Sequence, residues 1–344
     1  MATLILDKSN LELTTQGAAL VFYENGERRS SLPIKSIERC IMIGSTIKLD
    51  ASVIQKIVES GGSMLMLSAR FQHRTAFVLG NKHNDVFIRV EQAIRLLDAQ
   101  WPVTWSKVVV MTKLRQQLKC LQRLMNARPE HRHALFVARE RIRQQYIELL
   151  SANMQAHNVK EKNACLSRLR GIEGSASRQW FSTLVAILPQ ALRFRCRNRR
   201  PPRDPVNSLM SLSYTLVHFE AIRAAHMAGL DPLIGFYHQP AYGRESLASD
   251  LIESLRPDID LFVVRLLAEQ QLRAEDFGLE QNGACLLKKS GRSKFFEQWE
   301  KQVKFYRRYL RLYCRRTAAV FKQKQVRPFS FDVMGDEDEA FESF

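Results

Sequence analysis

Near residue 80 the hydrophobic pattern of this chain changes period, and this change limits the folds that the chain can adopt. Before it, short apolar runs at 18–23 and 28–34 flank Asn25-Gly26, a residue pair favoured at tight hairpin turns. A further strand is expected at 37–43, and apolar runs follow at 64–67 and 76–79. Between them, Asp50 and Gly61-Gly62 are typical start and stop signals of a short helix. The first 80 residues therefore predict a small β-sheet domain.

After residue 86 the apolar side chains recur at steps of three and four, which is the period of a helix. Phe87, Val90, Ile94 and Leu97 show this spacing. Further helices are predicted at about 108–121, 134–156, 175–190, 206–227, 246–256 and 293–324. The sequence thus predicts an α+β protein. It comprises a β-rich domain at 1–80, a linker at 81–85, a large all-α domain at 86–327, and an acidic tail at 328–344 that its composition predicts to be disordered.

The positive charge of the chain is concentrated in two segments. Lys and Arg number 52 against 35 Asp and Glu, which gives a net charge of +17. Residues 86–205 carry 23 basic and 8 acidic side chains, and residues 301–327 carry 10 basic and no acidic ones. Between these segments, 206–300 has 9 basic against 13 acidic side chains. This arrangement suits a protein that binds phosphate backbones and also holds a metal cation.

Other classes of protein fit the sequence poorly. The longest apolar run, 181–188, has 8 residues, whereas a membrane-spanning helix needs about 20. The N-terminus reaches Asp7 and Lys8 before a secretory apolar segment could form. The six cysteines include no CxxC pair, which argues against a zinc ribbon, and a chain of this size needs no disulfides. We therefore expect a cytoplasmic protein with no membrane partner.

His238, Asp250 and Glu253 are the strongest candidates for a chemical site. Ser246 is placed to cap a helix that Pro257 would stop. Asp250 and Glu253 are three residues apart, so both project from one face of this helix. Two negative charges on one helical face repel each other, which suggests that a cation or water lies beside Asp250 and Glu253. The alternative is a solvated acidic face, with His238 as a loop or core histidine.

Glu173 is the second candidate. Because Gly171 and Gly174 flank it, the sequence predicts a helix-to-helix turn at this point. The alternative is an exposed turn glutamate with no chemical role. Together with the three side chains above, Glu173 offers mostly hard oxygen ligands and one imidazole. Such a set suits Mg²⁺ or Mn²⁺ better than zinc.

Two basic clusters are candidates for contacts with phosphates, because arginine stays charged and binds phosphate through two N–H groups. In the segment RFRCRNRRPPRDPVN the cluster consists of Arg193, Arg195, Arg197, Arg199, Arg200 and Arg203. In the last predicted helix it consists of Lys304, Arg307, Arg308 and Arg311. For the first cluster, the alternative is a solvated loop. The aromatic residues interleaved in the last helix would either stack on bases or pack in the core, and helical spacing favours the core.

These segments, in this order, resemble the CRISPR-associated endonuclease family known as Cas one, the spacer integrase of CRISPR adaptation. The resemblance covers most of the chain. It is carried by LPIKSIERCIMIG, NDVFIRVEQ, GIEG, RPPRDPVNSLMSLSYTLV, GLDPLIGFYH and GRESLASDLIESLRP. The last three segments are long and specific. One departure is Ser175-Ala176-Ser177, where many relatives have a bulkier stretch that contains an aromatic residue.

The resemblance implies a site and a reaction. Glu173, His238 and Glu253 would bind Mg²⁺ or Mn²⁺, and Asp250 would be a nearby second acid and a further ligand. All four would be catalytic residues, and Asp204 in the DPVN segment would have a structural role. The 3′-hydroxyl of a short foreign DNA would attack a phosphodiester at the border of a CRISPR repeat. Endonuclease activity is expected alongside. The helical domain would then be the catalytic and DNA-binding domain.

The resemblance also implies partners. Relatives form homodimers that hold a dimer of a smaller protein, Cas two, and a small sheet domain is a plausible dimer surface because its edges need cover. Some relatives are fused to a reverse transcriptase, so a fused or neighbouring enzyme of this kind remains open.

Two alternative functions also remain: a structure-selective nuclease of branched DNA, and an inactive DNA-binding scaffold.

Overall fold

The computed structural model describes residues 2–8, 10–44, 46–68, 75–80, 83, 85–198 and 201–322. The strands are β1 (Ala2–Leu6), β2 (Leu11–Gln16), β3 (Ala19–Glu24), β4 (Glu27–Pro33), β5 (Ile37–Ile43), β6 (Lys48–Leu49), β7 (Ser63–Leu67), β8 (Thr75–Leu79), β9 (Phe277–Leu279) and β10 (Cys285–Leu287). The helices are α1 (Ala51–Glu59), α2 (Val86–Leu97), α3 (Trp101–Ala127), α4 (Arg132–Ser151), α5 (Val159–Ile187), α6 (Pro205–Met227), α7 (Ser246–Ile252), α8 (Arg256–Ala268) and α9 (Lys289–Lys322). The α+β class predicted from the sequence is confirmed.

The N-terminal strands form two four-stranded sheets. One has the order β1-β5-β7-β8, with β8 antiparallel to an otherwise parallel sheet. The other has the order β4-β3-β2-β6, with β6 parallel to β2 and the other pairs antiparallel. Asn25 and Gly26 join β3 and β4 as predicted, and both have positive φ, as a tight hairpin turn requires. Val53 and Ile57 of α1 pack into the core of this region.

The helical part differs from the predicted pattern at Glu173. Helix α5 runs through Gly171 and Gly174 without interruption, so Glu173 lies inside a helix and not on a turn. No atom from outside the nearby backbone of α5 and the adjacent residues lies within 4 Å of the position that a Cβ would occupy at either glycine. The predicted turn was wrong because glycine permits a turn without requiring one, and the surrounding residues favour a helix.

A second difference concerns α7. This helix ends at Ile252, and Pro257 lies in the first turn of α8, where the missing N–H of proline has no helical partner to lose. Pro257 therefore starts a helix and does not stop one. Ser246 is not the N-cap either, because Glu245 precedes the helix and the Ser246 hydroxyl donates to the carbonyl of Gln239 at 3.1 Å. The β9–β10 hairpin, which follows α8, was also not predicted.

Helix α2 has the predicted period, yet its apolar stripe faces solvent. Phe87 is 78% and Leu97 is 81% exposed, whereas Ile88 and Gln92 are buried. The burial of a glutamine is explained by its hydrogen bonds. Its side-chain amide donates to the carbonyls of Asp231 and Ile234 and accepts from the N–H of Asp231.

The described chain divides into two compact units. The first contains the described residues up to 83, Phe181–Gly229 and Leu255–Arg311. The second contains Asp85–Trp180, Leu230–Ser254 and residues from 312 onward. The boundaries drawn from the sequence, 1–80, 81–85, 86–327 and 328–344, stay predictions, and the acidic tail lies outside the described residues. Over the part of the chain that the structure describes, each helix is too short or too polar to cross a bilayer.

Candidate active site

The four candidate site residues come together in the second unit. Glu173 is on α5, His238 is in the loop before α7, Asp250 is in α7, and Glu253 follows the last residue of that helix. Residue 173 is thus brought to residues that are more than sixty positions away in the chain. This grouping disfavours the alternative of an isolated solvated acidic face.

Asp250 is the most fully hydrogen-bonded of the four. Its side chain has no exposed surface. One carboxylate oxygen, Oδ2, accepts from the indole N–H of Trp105 at 3.1 Å and from the backbone N–H groups of Phe236 and Tyr237 at 2.8 and 3.0 Å. The other oxygen, Oδ1, lies 2.8 Å from both the backbone nitrogen and the ring Nδ1 of His238. Because both oxygens are occupied by donors from the chain, Asp250 positions the loop and the imidazole.

His238 presents its second ring nitrogen to the rest of the site. In a neutral imidazole, an Nδ1–H that donates to Asp250 leaves the lone pair on Nε2. The Nε2 atom lies 3.7 Å from Oε1 of Glu253. This distance is too long for a hydrogen bond. The arrangement resembles the carboxylate–histidine pairs that orient metal ligands in other proteins.

Gly235 allows the histidine loop to approach α7 closely. A Cβ at this position would lie 2.5 Å from the carbonyl carbon of Ser246 and 2.7 Å from the nitrogen of Leu247. No side chain fits there without moving backbone. Gln92 also holds this loop, because its side-chain amide donates to the carbonyls of Asp231 and Ile234. Gly235 therefore has a packing function, and its close approach to α7 fixes the loop that carries His238.

Lys113 of α3 connects the two glutamates. Its ammonium donates to Oε2 of Glu253 at 2.7 Å and makes a short contact with Oε1 of Glu173. The side chains of Lys113 and Glu253 are 9% and 6% exposed, and that of Glu173 is 20% exposed. The hydroxyl of Ser177 also donates to Oε1 of Glu173 at 2.7 Å. Ser177 therefore has a direct role in orienting Glu173.

Tyr237 lies beside this cluster. Burial raises the pKa of its phenol strongly, and the negative charges of Glu173 and Glu253 raise it further. The phenol therefore keeps its proton at any ordinary pH.

The donor chemistry of the site fits a divalent metal ion. Two carboxylates and one imidazole nitrogen are ligands that Mg²⁺ and Mn²⁺ accept. In the described residues, however, no three His, Cys, Asp or Glu side chains already converge on a point that could hold an ion. Lys113 lies between the two glutamates instead. The residues fit the metal in kind, whereas their present arrangement is held by a lysine.

The first basic cluster divides into exposed and internal arginines. Arg193, Arg195 and Arg203 are exposed. Arg197 is half-buried, and its guanidinium donates to Asn207 Oδ1 at 2.8 Å and to the hydroxyl of Ser211 at 3.1 Å. Arg197 therefore stabilises the fold. Arg199 and Arg200 lie outside the described residues.

The turn that follows this cluster is ordered by the DPVN segment. Asp204 is the N-cap of α6 and accepts from the backbone N–H of Asn207 at 2.9 Å. The amide of Asn207 donates to Oδ2 of the same aspartate at 2.6 Å. These bonds agree with the structural role that the resemblance implied for this segment.

The last helix divides in the same way. Lys304, Arg308 and Arg311 are exposed. Arg307 forms ion pairs with Glu220 at 2.8 Å and Glu300 at 3.0 Å, so its charge is compensated inside the protein. The aromatic residues of this helix are mostly buried, as the core interpretation predicted; they are Trp299, Tyr306, Tyr309 and Tyr313.

Sequence reasoning missed Lys113, Trp105 and Gln92. A signal for Lys113 is present in the sequence. It stands three residues after Val110 and four before Gln117, on the stripe of α3 that is buried. A charged residue on a buried helical stripe requires a partner of opposite charge. The acids near residues 173 and 253 are such partners.

Comparisons with known proteins agree with these motifs. The model of the Cas one family, described as CRISPR associated protein Cas1, matches residues 4–301. The CRISPR-associated endonuclease Cas1 1 of Thermodesulfovibrio yellowstonii is 37% identical over 306 residues, which cover 88% of this chain and 92% of that protein.

Two solved structures share the fold. A casposase bound to integration product has a TM-score of 0.80 at 19% identity, over 95% of this chain and 92% of that one. A Cas6-RT-Cas1–Cas2 complex contains a chain with a TM-score of 0.76 at 20% identity, which covers 94% of this chain and 35% of that one. Because the family model and the curated relative both span most of the sequence, this chain belongs to the Cas1 family of CRISPR-associated proteins.

Proposed function

We propose that this protein is a divalent-metal-dependent DNA endonuclease and integrase that inserts short foreign DNA into a CRISPR array. The observation that carries the proposal is the grouping of Glu173, Glu253 and the Nε2 atom of His238, in a chain whose relative is named an endonuclease. The casposase with a similar fold was solved with an integration product. The integration product bound in that structure supports strand transfer as the reaction.

In this reaction the 3′-oxygen of the incoming DNA attacks a phosphorus atom of the repeat. The bond between that phosphorus and the 3′-oxygen of the repeat strand breaks, and the proton of the attacking hydroxyl ends on the leaving oxygen. One phosphodiester replaces another, so no nucleoside triphosphate is consumed. With water as nucleophile, the same site would hydrolyse DNA.

Different residues of the chain would have different roles in this reaction. Asp250 holds the imidazole of His238, and Ser177 orients the carboxylate of Glu173. Glu173, His238 and Glu253 would hold the metal. A bound Mg²⁺ or Mn²⁺ ion would lower the pKa of the attacking hydroxyl and offset charge on the attacked phosphate. Exposed basic residues such as Arg193, Arg195 and Arg203 would contact the DNA backbone.

The proposed partners are DNA, a second copy of this chain and the small protein Cas2. The Cas2 proposal is supported by the complex of Cas1 and Cas2 whose Cas1-containing chain shares this fold. That complex also contains a reverse transcriptase, so a neighbouring or fused enzyme of this kind is a further candidate partner. The homodimer is proposed from the resemblance to the family, with the β-rich N-terminal region as its surface.

A strand-transfer assay tests the proposal. A labelled short duplex with a free 3′-hydroxyl is mixed with repeat-containing DNA and Mn²⁺ or Mg²⁺, with and without Cas2. We expect a joined product that requires the metal and disappears in EDTA. Full activity in excess chelator would refute the metal dependence.

The same assay separates the alternatives. Cleavage of branched DNA without any joined product would favour a structure-selective nuclease. Binding of DNA without cleavage or joining, under all these conditions, would favour an inactive scaffold. The presence of all the candidate site residues in one cluster disfavours the scaffold.

A further inference from the structure

Lys113 has contacts that the proposed function does not use. Its ammonium lies within hydrogen-bond distance of both glutamates of the site. It reaches them from α3, whereas Glu173 lies on α5 and Glu253 follows α7. Lys113 and Glu253 are almost completely buried. Two carboxylates that lie this close repel each other strongly unless a cation separates them. Lys113 supplies that cation in the structure described here.

The remaining acid, Asp250, does not need Lys113. Its two oxygens already accept from Trp105, from three backbone N–H groups and from the ring of His238. The positive charge of Lys113 is therefore directed at Glu173 and Glu253, which are the proposed metal-binding carboxylates. A divalent ion held by Glu173 and Glu253 would compete with the ammonium for these two carboxylates.

We infer that Lys113 is the internal counter-ion of the metal-free site and that a divalent cation binds by displacing its ammonium from at least one of the two glutamates. This inference rests on the proposed metal site. The long and flexible lysine side chain allows the displacement, since it can turn away without movement of the backbone. The lysine keeps the acids together and stable before the metal arrives, and it weakens metal binding by competition.

Lys107 provides a matched control on the same helix. Its ammonium donates to the backbone carbonyl of Ala152 at 2.7 Å and lies 3.4 Å from that of Leu150. Neither of these two bonds involves a carboxylate. Lys107→Met removes the same charge from the same helix, and it leaves the contacts of Glu173 and Glu253 unchanged.

The test is the affinity of the full-length chain for Mn²⁺, measured by titration calorimetry and by electron paramagnetic resonance of free Mn²⁺. Lys113→Met should bind Mn²⁺ at least about 10-fold more tightly than the wild type, because a competing cation is gone. It should also lower the Tm of the metal-free protein, and Mn²⁺ should raise the Tm of this variant more than that of the wild type. Lys107→Met should bind Mn²⁺ like the wild type. If Lys113→Met does not fold, Lys113→Gln replaces it, with the same direction expected.

The outcomes separate the two proposals. If the wild type binds Mn²⁺ and the Lys113 variant binds it equally or more weakly, the displacement is refuted and the metal site stands. If neither the wild type nor the variant binds Mn²⁺, the metal site itself is refuted, and the displacement with it. Tighter binding in both lysine variants would also refute the inference, since it would show a general effect of charge.

Discussion

At Asp250 the structure distinguishes between two roles that look the same in a sequence. An acid three residues before Glu253 can be a metal ligand or can support one. Both of its oxygens face donors of the protein, including the imidazole of His238 and the indole of Trp105. Asp250 therefore acts as a positioning residue.

The Asp250→Ala variant tests this role. It would remove the carboxylate that accepts from the indole of Trp105 and from the backbone N–H groups of Phe236, Tyr237 and His238. We expect the free energy of unfolding, measured in urea, to fall by about 3–5 kcal/mol.

Glu173→Gln is the control for this variant. Glutamine keeps an oxygen that can accept from Ser177, and Lys113 keeps its ion pair with Glu253, so we expect a smaller loss of stability than for Asp250→Ala. If Asp250→Ala were as stable as the wild type and merely inactive, Asp250 would be a direct ligand and not a positioning residue.

The sequence allowed His238, Glu173, Asp250 and Glu253 to be predicted because they lie in long, specific motifs. Lys113 could not be predicted by the same means. Its place on the buried stripe of α3 indicates that it needs an acidic partner, but which acids it meets depends on which helices pack together. Contacts between residues 113, 173 and 253 are a property of the fold, which local spacing does not contain.

Among the elements, α5 shows how a local signal can mislead. Two glycines around Glu173 suggested a turn, yet the helix continues through both. The surrounding segment contains residues that favour helix, and neither glycine needs a positive φ. The mistaken prediction affected the element only, because the proposal of Glu173 as a site residue came from the motif.

The Gly171→Ala and Gly174→Ala variants test the continuity of this helix. Apart from the adjacent residues and the nearby backbone of α5 itself, no atom lies within 4 Å of a Cβ at either position, and alanine is favoured over glycine in a helix interior. We expect each substitution to raise the free energy of unfolding in urea by about 0.5–1 kcal/mol.

Gly235→Ala serves as the contrasting variant. Its Cβ would meet backbone atoms of α7 at 2.5 Å, so we expect a clear loss of stability. A loss of stability in the two α5 variants would instead indicate that a turn forms near Glu173.

In the whole molecule, the positive charge includes both exposed and internal arginines. Arg193, Arg195 and Arg203 are exposed, whereas Arg197 is bound within the protein. The net charge of a segment therefore overstates the number of residues available to DNA. Only the folded structure separates the two groups.

Salt dependence of DNA binding tests this separation. If the exposed basic side chains of the protein engage on the order of six phosphates, the affinity for DNA should fall by about 10³ between 50 and 200 mM salt. Replacing Arg193, Arg195 and Arg203 with Gln should make the slope of log K against log salt shallower by up to about 2.7. Arg197→Gln should lower stability and leave the slope unchanged. An unchanged slope in the triple variant would assign the DNA contacts to other residues.

The most direct test of the site is single-turnover strand transfer by Glu253→Gln in Mn²⁺, with DNA binding measured in parallel. This substitution removes the charge of one proposed metal ligand and nearly preserves its shape. We expect the variant to bind DNA like the wild type and to join strands at least about 10³-fold more slowly. Strand transfer by Glu253→Gln at the wild-type rate would contradict the proposed site.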